Sequence, residues 1–376
     1  MVQGLQPLQS FVCEQQWAGR YPGCRSRGCR VRNVLYLQHR GRKAGPCQIP
    51  HGLCLIGKID DRCATLWVHG YNSSPFYRAA VPMQASFKTI GLAGRSRQRG
   101  QTGVLRELIA LLEARGLDVI LEDALGDVVP DHAMHLASLD DIGAAADLVI
   151  VVGGDGSLLS AARTLAKYDT PVLGVNRGRL GFLTDITPDE ISEQIPAVLD
   201  GGFERESRFL LDAEVRREGE VVGRGEALND VVVNSGSSAQ MIEFELCIDG
   251  DFVYRQRADG LIVSTPTGST AYSLSGGGPI MHPALDAIVL VPMFPHALSS
   301  RPIVVDGNSE IRLDILARNR IHPPVTCDGR ANMKARPGDS VHITKYPHRL
   351  TLLHPLGHSF YASCRDKLRW SNALVN

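Results

Sequence analysis

The feature that most constrains the fold is a change of hydrophobic period at Gly201-Gly202. Before it, short apolar strands alternate with helical stretches. FKTIGLAG reads as a strand ending in glycine, and VLRELIALLEARG then sets Val104, Leu105, Leu108, Leu111 and Leu112 on one helical face, with Gly116 as C-cap. LDVILE (117–122) alternates as a strand, a helix is expected around 140–146, and DLVIVV (147–152) is a continuous apolar run of the kind buried parallel strands show. A glycine turn, the helix SLLSAARTLAKY (157–168) and the strand PVLGV (171–175) follow, and Thr187-Pro188-Asp189-Glu190 opens a further helix with a capping box. Strands alternating with helices predict an α/β domain with a parallel sheet over 87–204. After Gly202 the period is two. RFLLDAEVRR, EALNDVVVNS, MIEFELCID, DFVYRQR and GLIVSTP, then PIVV (302–305), IRLDIL (311–316), VHITK (341–345) and RLTLLH (349–354), predict a mostly-β domain over 205–355. Residues 356–376 are expected to form a C-terminal segment, with a helix, packing back on the α/β domain.

Residues 1–86 stand apart. They carry 11 Lys+Arg against 3 Asp+Glu and six of the nine cysteines, so the balanced formal charge of the whole chain conceals two compositions. No CxxC pair occurs in them, and no second cysteine pair repeats the Cys24–Cys29 gap at zinc spacing. They are expected to be a poorly structured or non-native extension, with Met83 the natural start of the folded protein. Zero net charge over 376 residues argues against a general nucleic-acid binder. The richest apolar run, Ala287 to Phe294, is far short of a membrane span and contains Pro292. The N-terminus lacks a secretory signal. A soluble cytoplasmic protein that uses neither membrane nor nucleic acid is expected.

Four motifs carry chemistry. Gly153-Gly154-Asp155-Gly156-Ser157 lies between a buried strand and a helix, where parallel sheets hold ligands and a helix N-terminus suits phosphate oxygens. Asp155 there either caps the helix or, as the flanking glycines favour, holds a metal or orients a hydroxyl nucleophile. The loop Leu173-Gly-Val-Asn176-Arg177-Gly178, with Leu180-Gly181-Phe182-Leu183-Thr184, reads by itself as glycine turn chemistry. Asn229-Asp230, within EALNDVVV, either grips vicinal ribose hydroxyls or is the polar outer face of an edge strand. The densest stretch runs from Arg257-Ala-Asp259-Gly260 through Ser264-Thr-Pro-Thr-Gly-Ser269 to Thr270-Ala271-Tyr272-Ser273-Leu274-Ser275 and Gly276-Gly-Gly-Pro279. Its hydroxyls suit sugar and phosphate, and Tyr272 suits stacking on a base. GxxxxGK[ST], HExxH and GxSxG do not occur.

In this order and spacing, GGDGS, LGVNRGRLGFLT, the Asn-Asp pair and DGLIVSTPTGSTAYSLSGGGPI resemble the bacterial NAD kinases, over Phe87 to the C-terminus. The resemblance implies an α/β domain plus a β-sandwich, with the site between them. It implies transfer of the γ-phosphoryl of ATP to the 2′-hydroxyl of the adenosine ribose of NAD, with a divalent metal ion, expected as Mg²⁺, accompanying ATP. It puts the proton acceptor at Asp155 and nucleotide or substrate binding at Gly153, Gly154, Gly156, Asn229, Asp230, Gln240, Arg257, Asp259, Thr270, Ala271, Tyr272, Ser273, Leu274, Ser275 and Arg330. Arg257 favours ATP over polyphosphate as donor. Arg330 stands where many relatives have Gln, and GGGP where many have AGGP. A homodimer or homotetramer is implied. Two competing readings are a lipid kinase, disfavoured by the hydroxyl-rich 264–275, and a dinucleotide sensor, disfavoured by Asp155, Asp259 and Arg257.

Overall fold

The computed structural model describes residues 54–60, 63–69, 77–80 and 87–370, apart from 96–100, 130–133, 179–180 and 237–239. The chain divides into two units, Met1–Gln84 and Ala85–Asn376. In the first, β1 (Cys54–Asp60), β2 (Cys63–His69) and β3 (Tyr77–Ala80) pair antiparallel in that order. The rest of the segment expected to be poorly structured or non-native lies outside the described residues.

The second unit begins with the α/β domain. β4 (Thr89–Gly94), α1 (Gln101–Ala114), β5 (Asp118–Glu122), β6 (His135–Ala137), α2 (Leu139–Ala145), β7 (Leu148–Val152), α3 (Asp155–Leu165), β8 (Val172–Val175) and α4 (Ile191–Leu199) follow one another. The strands lie parallel in the order β8-β7-β4-β5-β6. β7 is buried at all five positions because helices cover both faces. Leu105, Leu108 and Leu112 of α1 pack with Leu92 and Ile150 on one side, and Leu158, Ala162 and Leu165 of α3 pack with Val149 and Val151 on the other. Each such aliphatic side chain contributes about 1.5–3 kcal/mol on full burial.

Next come β9 (Phe203–Arg217), β10 (Glu220–Ala227), β11 (Asp230–Asn234), β12 (Ile242–Ile248), β13 (Asp251–Ala258), β14 (Gly260–Ser264), the one-turn α5 (Tyr272–Ser275), β15 (Ala287–Met293), β16 (Ile303–Asp306), β17 (Ile311–Ile315), β18 (Pro324–Cys327), β19 (Arg330–Lys334), β20 (Ser340–Pro355) and α6 (Phe360–Leu368). One face of a sandwich is β16-β15-β14-β11-β18-β19; the other is β13-β12-β17-β20 with β9 and β10. Inward residues of both, among them Phe244, Leu246, Val231, Val233, Leu261 and Leu290, form one core.

Two boundaries differ from expectation. VHITK and RLTLLH are one strand, β20, interrupted only by a register shift between Lys345 and Arg349. It pairs antiparallel with β9 and, at Leu352 and Leu353, parallel with β8, so a single sheet runs from one domain into the other. EALNDVVVNS is two strands, β10 and β11, that belong to opposite sheets and break at Leu228-Asn229. The expected C-terminal helix is α6, whose rings contact His282, in the loop after α5; residues 371–376 lie outside the described ones.

Candidate active site

Asp155 is the first residue of α3, and Gly154 is the N-cap. The capping reading of Asp155 is therefore corrected: its carboxylate turns away from its own helix. Phe182 N–H donates to Oδ2 at 2.9 Å, Leu183 N–H to Oδ1 at 3.1 Å and the Thr184 hydroxyl to Oδ1 at 3.4 Å. The glycine loop after β8 is thus more than a turn; it is the socket of Asp155. Gly181 shows how close the fit is, because a Cβ there would lie 1.9 Å from Asp155 Oδ1. A carboxylate offers about four acceptor positions, so these three donors leave one free. Gly153 is buried and its N–H donates to Val175 O at 2.9 Å, which fixes the end of β7 to β8. Gly154 and Gly156 face open space, with nothing within 4 Å of a built Cβ, and Arg95 donates to Gly156 O at 3.0 Å.

Leu159, one turn along α3 and on the same face as Asp155, lines a cavity of about 380 Å³ with Asn229, Asp230, Val232, Asn234, Ala271, Tyr272, Thr326, Asp328 and Gly329. Asp230, Val232 and Asn234 alternate along the outer face of β11, so the cavity follows that strand. β11 lies inside its sheet, between β14 and β18, and Asp230 is only 4% exposed, which corrects the edge-strand alternative. Burial, and then the nearby Asp328 charge, push the Asp230 carboxyl up to about 7. A carboxyl so raised is partly protonated near neutral pH, and its protonated form can donate as well as accept a hydrogen bond.

Asp328 organises this wall. Its Oδ1 accepts from Asn229 N–H at 2.7 Å, and its Oδ2 accepts from Leu228 N–H at 3.1 Å and from Arg163 of α3 at 2.8 Å. Sequence reasoning did not single it out. The signal was the Asp-Gly of CDGR: Asp328 and Gly329 both take left-handed φ, 50° and 73°, which turns the carboxylate inward.

The hydroxyl-rich loop divides. Ser264 and Thr265 hydroxyls donate to Asn229 O and Leu228 O, and Ser269 donates to Pro266 O; all three are fully buried and serve the chain's own carbonyls. Gly268 passes so close that a Cβ would sit 2.1 Å from Asn229 O. Thr270 donates to Thr267 O at 3.2 Å. Ser273 is buried, with a hydroxyl unpaired among the described residues, and Leu274 is half-buried. Ala271 and the exposed Tyr272 reach the cavity, while Ser275 lines a second one, of about 480 Å³, which Tyr272 also lines.

Three predicted residues do not line the cavity that holds Asp230. Gly260 opposes Asn234 and Ser264 opposes Asp230, which puts Asp259 at the far end of β11, about 13 Å or more from Asp230. Arg257 is exposed two residues before it, and Gln240 is exposed at the approach to β12. Arg330 donates to Ser160 of α3 at 2.8 Å; burial, then the like charges of Arg163 and Arg95, lower its pKa.

The ATP-NAD kinase N-terminal domain model matches residues 90–203, and the C-terminal domain model matches 228–354. The chain belongs to the ATP-NAD kinase family. Among its relatives, an NAD kinase of Pseudomonas putida (strain W619) is 56% identical over 288 residues, 77% of this chain and 97% of that one. An NAD kinase of Chromohalobacter salexigens is 58% identical over 288 residues, 77% and 98% of the two chains. The fold resembles a yeast NADH kinase solved with NADH (TM-score 0.71, 22% identity, 80% of this chain and 92% of that chain). It also resembles an Archaeoglobus fulgidus NAD kinase solved with ATP (TM-score 0.58, 24% identity, 75% and 98%). Among the described residues, no helix is long and apolar enough to cross a membrane.

Proposed function

We propose that this chain transfers the γ-phosphoryl group of ATP to the 2′-hydroxyl of the adenosine ribose of NAD, giving NADP. One observation carries the reading: a carboxylate gripped by the 182–184 turn stands one helical turn from the wall of a cavity that also holds Asn229, Asp230 and Tyr272.

The dinucleotide's adenosine lies along β11, with Asn229 and Asp230 on ribose hydroxyls and the Tyr272 ring against the base. Asp155 uses its free acceptor position for the 2′-hydroxyl and aims that oxygen at the γ-phosphorus. The bond from the 2′-oxygen to phosphorus forms as the bond from phosphorus to the β,γ-bridging oxygen breaks, and the proton passes to Asp155. A carboxylate is a weak base for an alcohol, and it suffices because phosphoryl transfer is loose and the proton leaves late. Positioning and charge neutralisation do most of the work. Arg95 and Arg330, both bonded to the first two turns of α3, face the donor phosphates together with the helix N-terminus. The open surface over Gly154 and Gly156 at the start of α3 would admit a hard divalent ion such as Mg²⁺ held by the triphosphate itself, where it would neutralise phosphate charge. Asp259 and Arg257, beyond Asn234, serve the distal part of the dinucleotide or the donor, with ATP favoured over polyphosphate.

The protein acts in the cytoplasm as a homo-oligomer; exposed Phe294 and Leu298 beside the second cavity support self-association. Residues 1–86 are an extension outside the catalytic unit. Formation of NADP from NAD and ATP in a coupled assay tests the reading. Binding of NAD without turnover would favour a sensor, and turnover of a lipid acceptor alone would overturn the assignment.

A further inference from the structure

The residue next to the Asp155 socket is itself held from two sides. Asp185 follows Phe182, Leu183 and Thr184 directly. Its Oδ2 is in hydrogen-bond contact with His354 Nδ1, and its Oδ1 lies 3.2 Å from His358 Nδ1. The other nitrogen of His354 lies 3.0 Å from Glu206 Oε2 on β9, and Arg208 donates to Glu206 at 2.7 Å. The two imidazoles stack, centroids 4.2 Å apart and planes 19° from parallel. His354 is the penultimate residue of β20, the strand that joins both domains, and is 2% exposed.

We infer that Asp185 is a positioning residue: through its clasp by His354 and His358 it fixes the 181–184 turn on the Asp155 carboxylate. The inference rests on the assignment of Asp155 as proton acceptor. Among the described residues, the turn is also held by the burial of Leu183 and Thr184 and by backbone bonds. Gly181 N–H donates to Thr184 O at 3.2 Å, and Ile186 O accepts from Asn176 N–H at 2.7 Å. Charge makes the clasp the strongest of them. Burial works against the charge of His354, but hydrogen bonds to Asp185 and Glu206 override it and hold the imidazolium up to about 9. Burial likewise opposes ionisation of Asp185, yet the hydrogen bonds of His354 and His358 keep it down at about 2. Ligand atoms of Asp185, His354 and His358 do lie within 4.8 Å of one another, a spread a metal ion accepts. The His354–Asp185 contact is that of a hydrogen-bonded ion pair, in which a proton rather than a metal ion would join the two groups.

The test uses the full-length chain with Asp185→Asn and His354→Gln, substitutions that keep side-chain size. Amide exchange at Phe182 and Leu183 is expected to accelerate at least about tenfold, because a charge-assisted hydrogen bond is lost. kcat is expected to fall by up to about 10²-fold as the carboxylate drifts, with KM for NAD unchanged. Unchanged exchange at these two amides would overturn the inference. So would exchange that accelerates equally across the whole α/β domain, a raised KM with intact kcat, or one equivalent of zinc in the wild type that both variants lose. Normal turnover of Asp155→Asn would overturn the acceptor assignment alone and leave the exchange result standing.

Discussion

Arg163 of α3 donates to Asp328 at 2.8 Å, with 12% and 1% of their side chains exposed. This bond ties the helix that begins with Asp155 to the wall that holds Asn229 and Asp230, so one helix registers the proposed acceptor against the cavity along β11.

Loss of that tie should be expensive for folding. Asp328→Ala leaves the Arg163 cation and the N–H groups of Leu228 and Asn229 without their acceptor. Breaking a buried pair in this way costs about 3–5 kcal/mol. Denaturant unfolding is expected to show a loss of that size, and a change below about 1 kcal/mol, the range of an exposed pair, would mean that the two domains are registered by other contacts.

Asp230 predicts a dependence on pH. Its folded pKa, about 7, lies above the ordinary 3.8, chiefly through burial. A raised folded pKa means stability that is full below about pH 3.8 and is lost as pH rises through about 7. Asp230→Asn, which cannot ionise, should therefore melt at a higher temperature than wild type at pH 8, and the gap should close towards pH 4. Asp230→Ala should raise KM for NAD, because a group able to donate and accept hydrogen bonds in the cavity is lost. Equal melting temperatures across this range would place the Asp230 carboxyl in water.

Gly181→Ala tests the socket from the other side. The new methyl would lie 1.9 Å from Asp155 Oδ1 and 2.4 Å from Thr184 Oγ1, so the carboxylate or the turn must move. A displacement of about 1 Å can cost on the order of 10²-fold in rate. Steady-state kinetics should show the loss in kcat, with little change in KM for NAD; wild-type kcat would mean that the socket does not set the acceptor's position.

Much of this was legible in the sequence. DLVIVV read as a buried parallel strand and is one, and the glycines about Asp155 marked the edge where α3 begins. The Leu-rich stripe of α1 and the Thr187–Glu190 capping box formed where the pattern put them. What escaped depended on tertiary pairing. Tyr346 to His348 interrupt the alternation of β20, and pairing with β9 on either side of the break keeps the strand whole. Leu228-Asn229 continues the period of two, yet the chain there changes sheets, because Asp328 and the 264–268 loop take up its backbone groups. The hydroxyls of Ser264, Thr265 and Ser269 looked like ligand donors and instead bond local carbonyls, a role that composition cannot reveal. Asp328 and His354 were overlooked because each sits in turn-like or strand-end sequence far along the chain from the group it serves.

The most direct test of the central claim is the turnover of Asp155→Asn beside its affinity for NAD. The amide keeps the size of the side chain, and its one oxygen can still accept from Leu183 N–H and the Thr184 hydroxyl, but its NH2 cannot accept from Phe182 N–H and the group takes no proton. The expected result is a fall in kcat of about 10²–10⁴-fold, with NAD bound as tightly as by the wild type. Turnover within a few-fold of wild type would contradict the claim that this carboxylate receives the ribose proton.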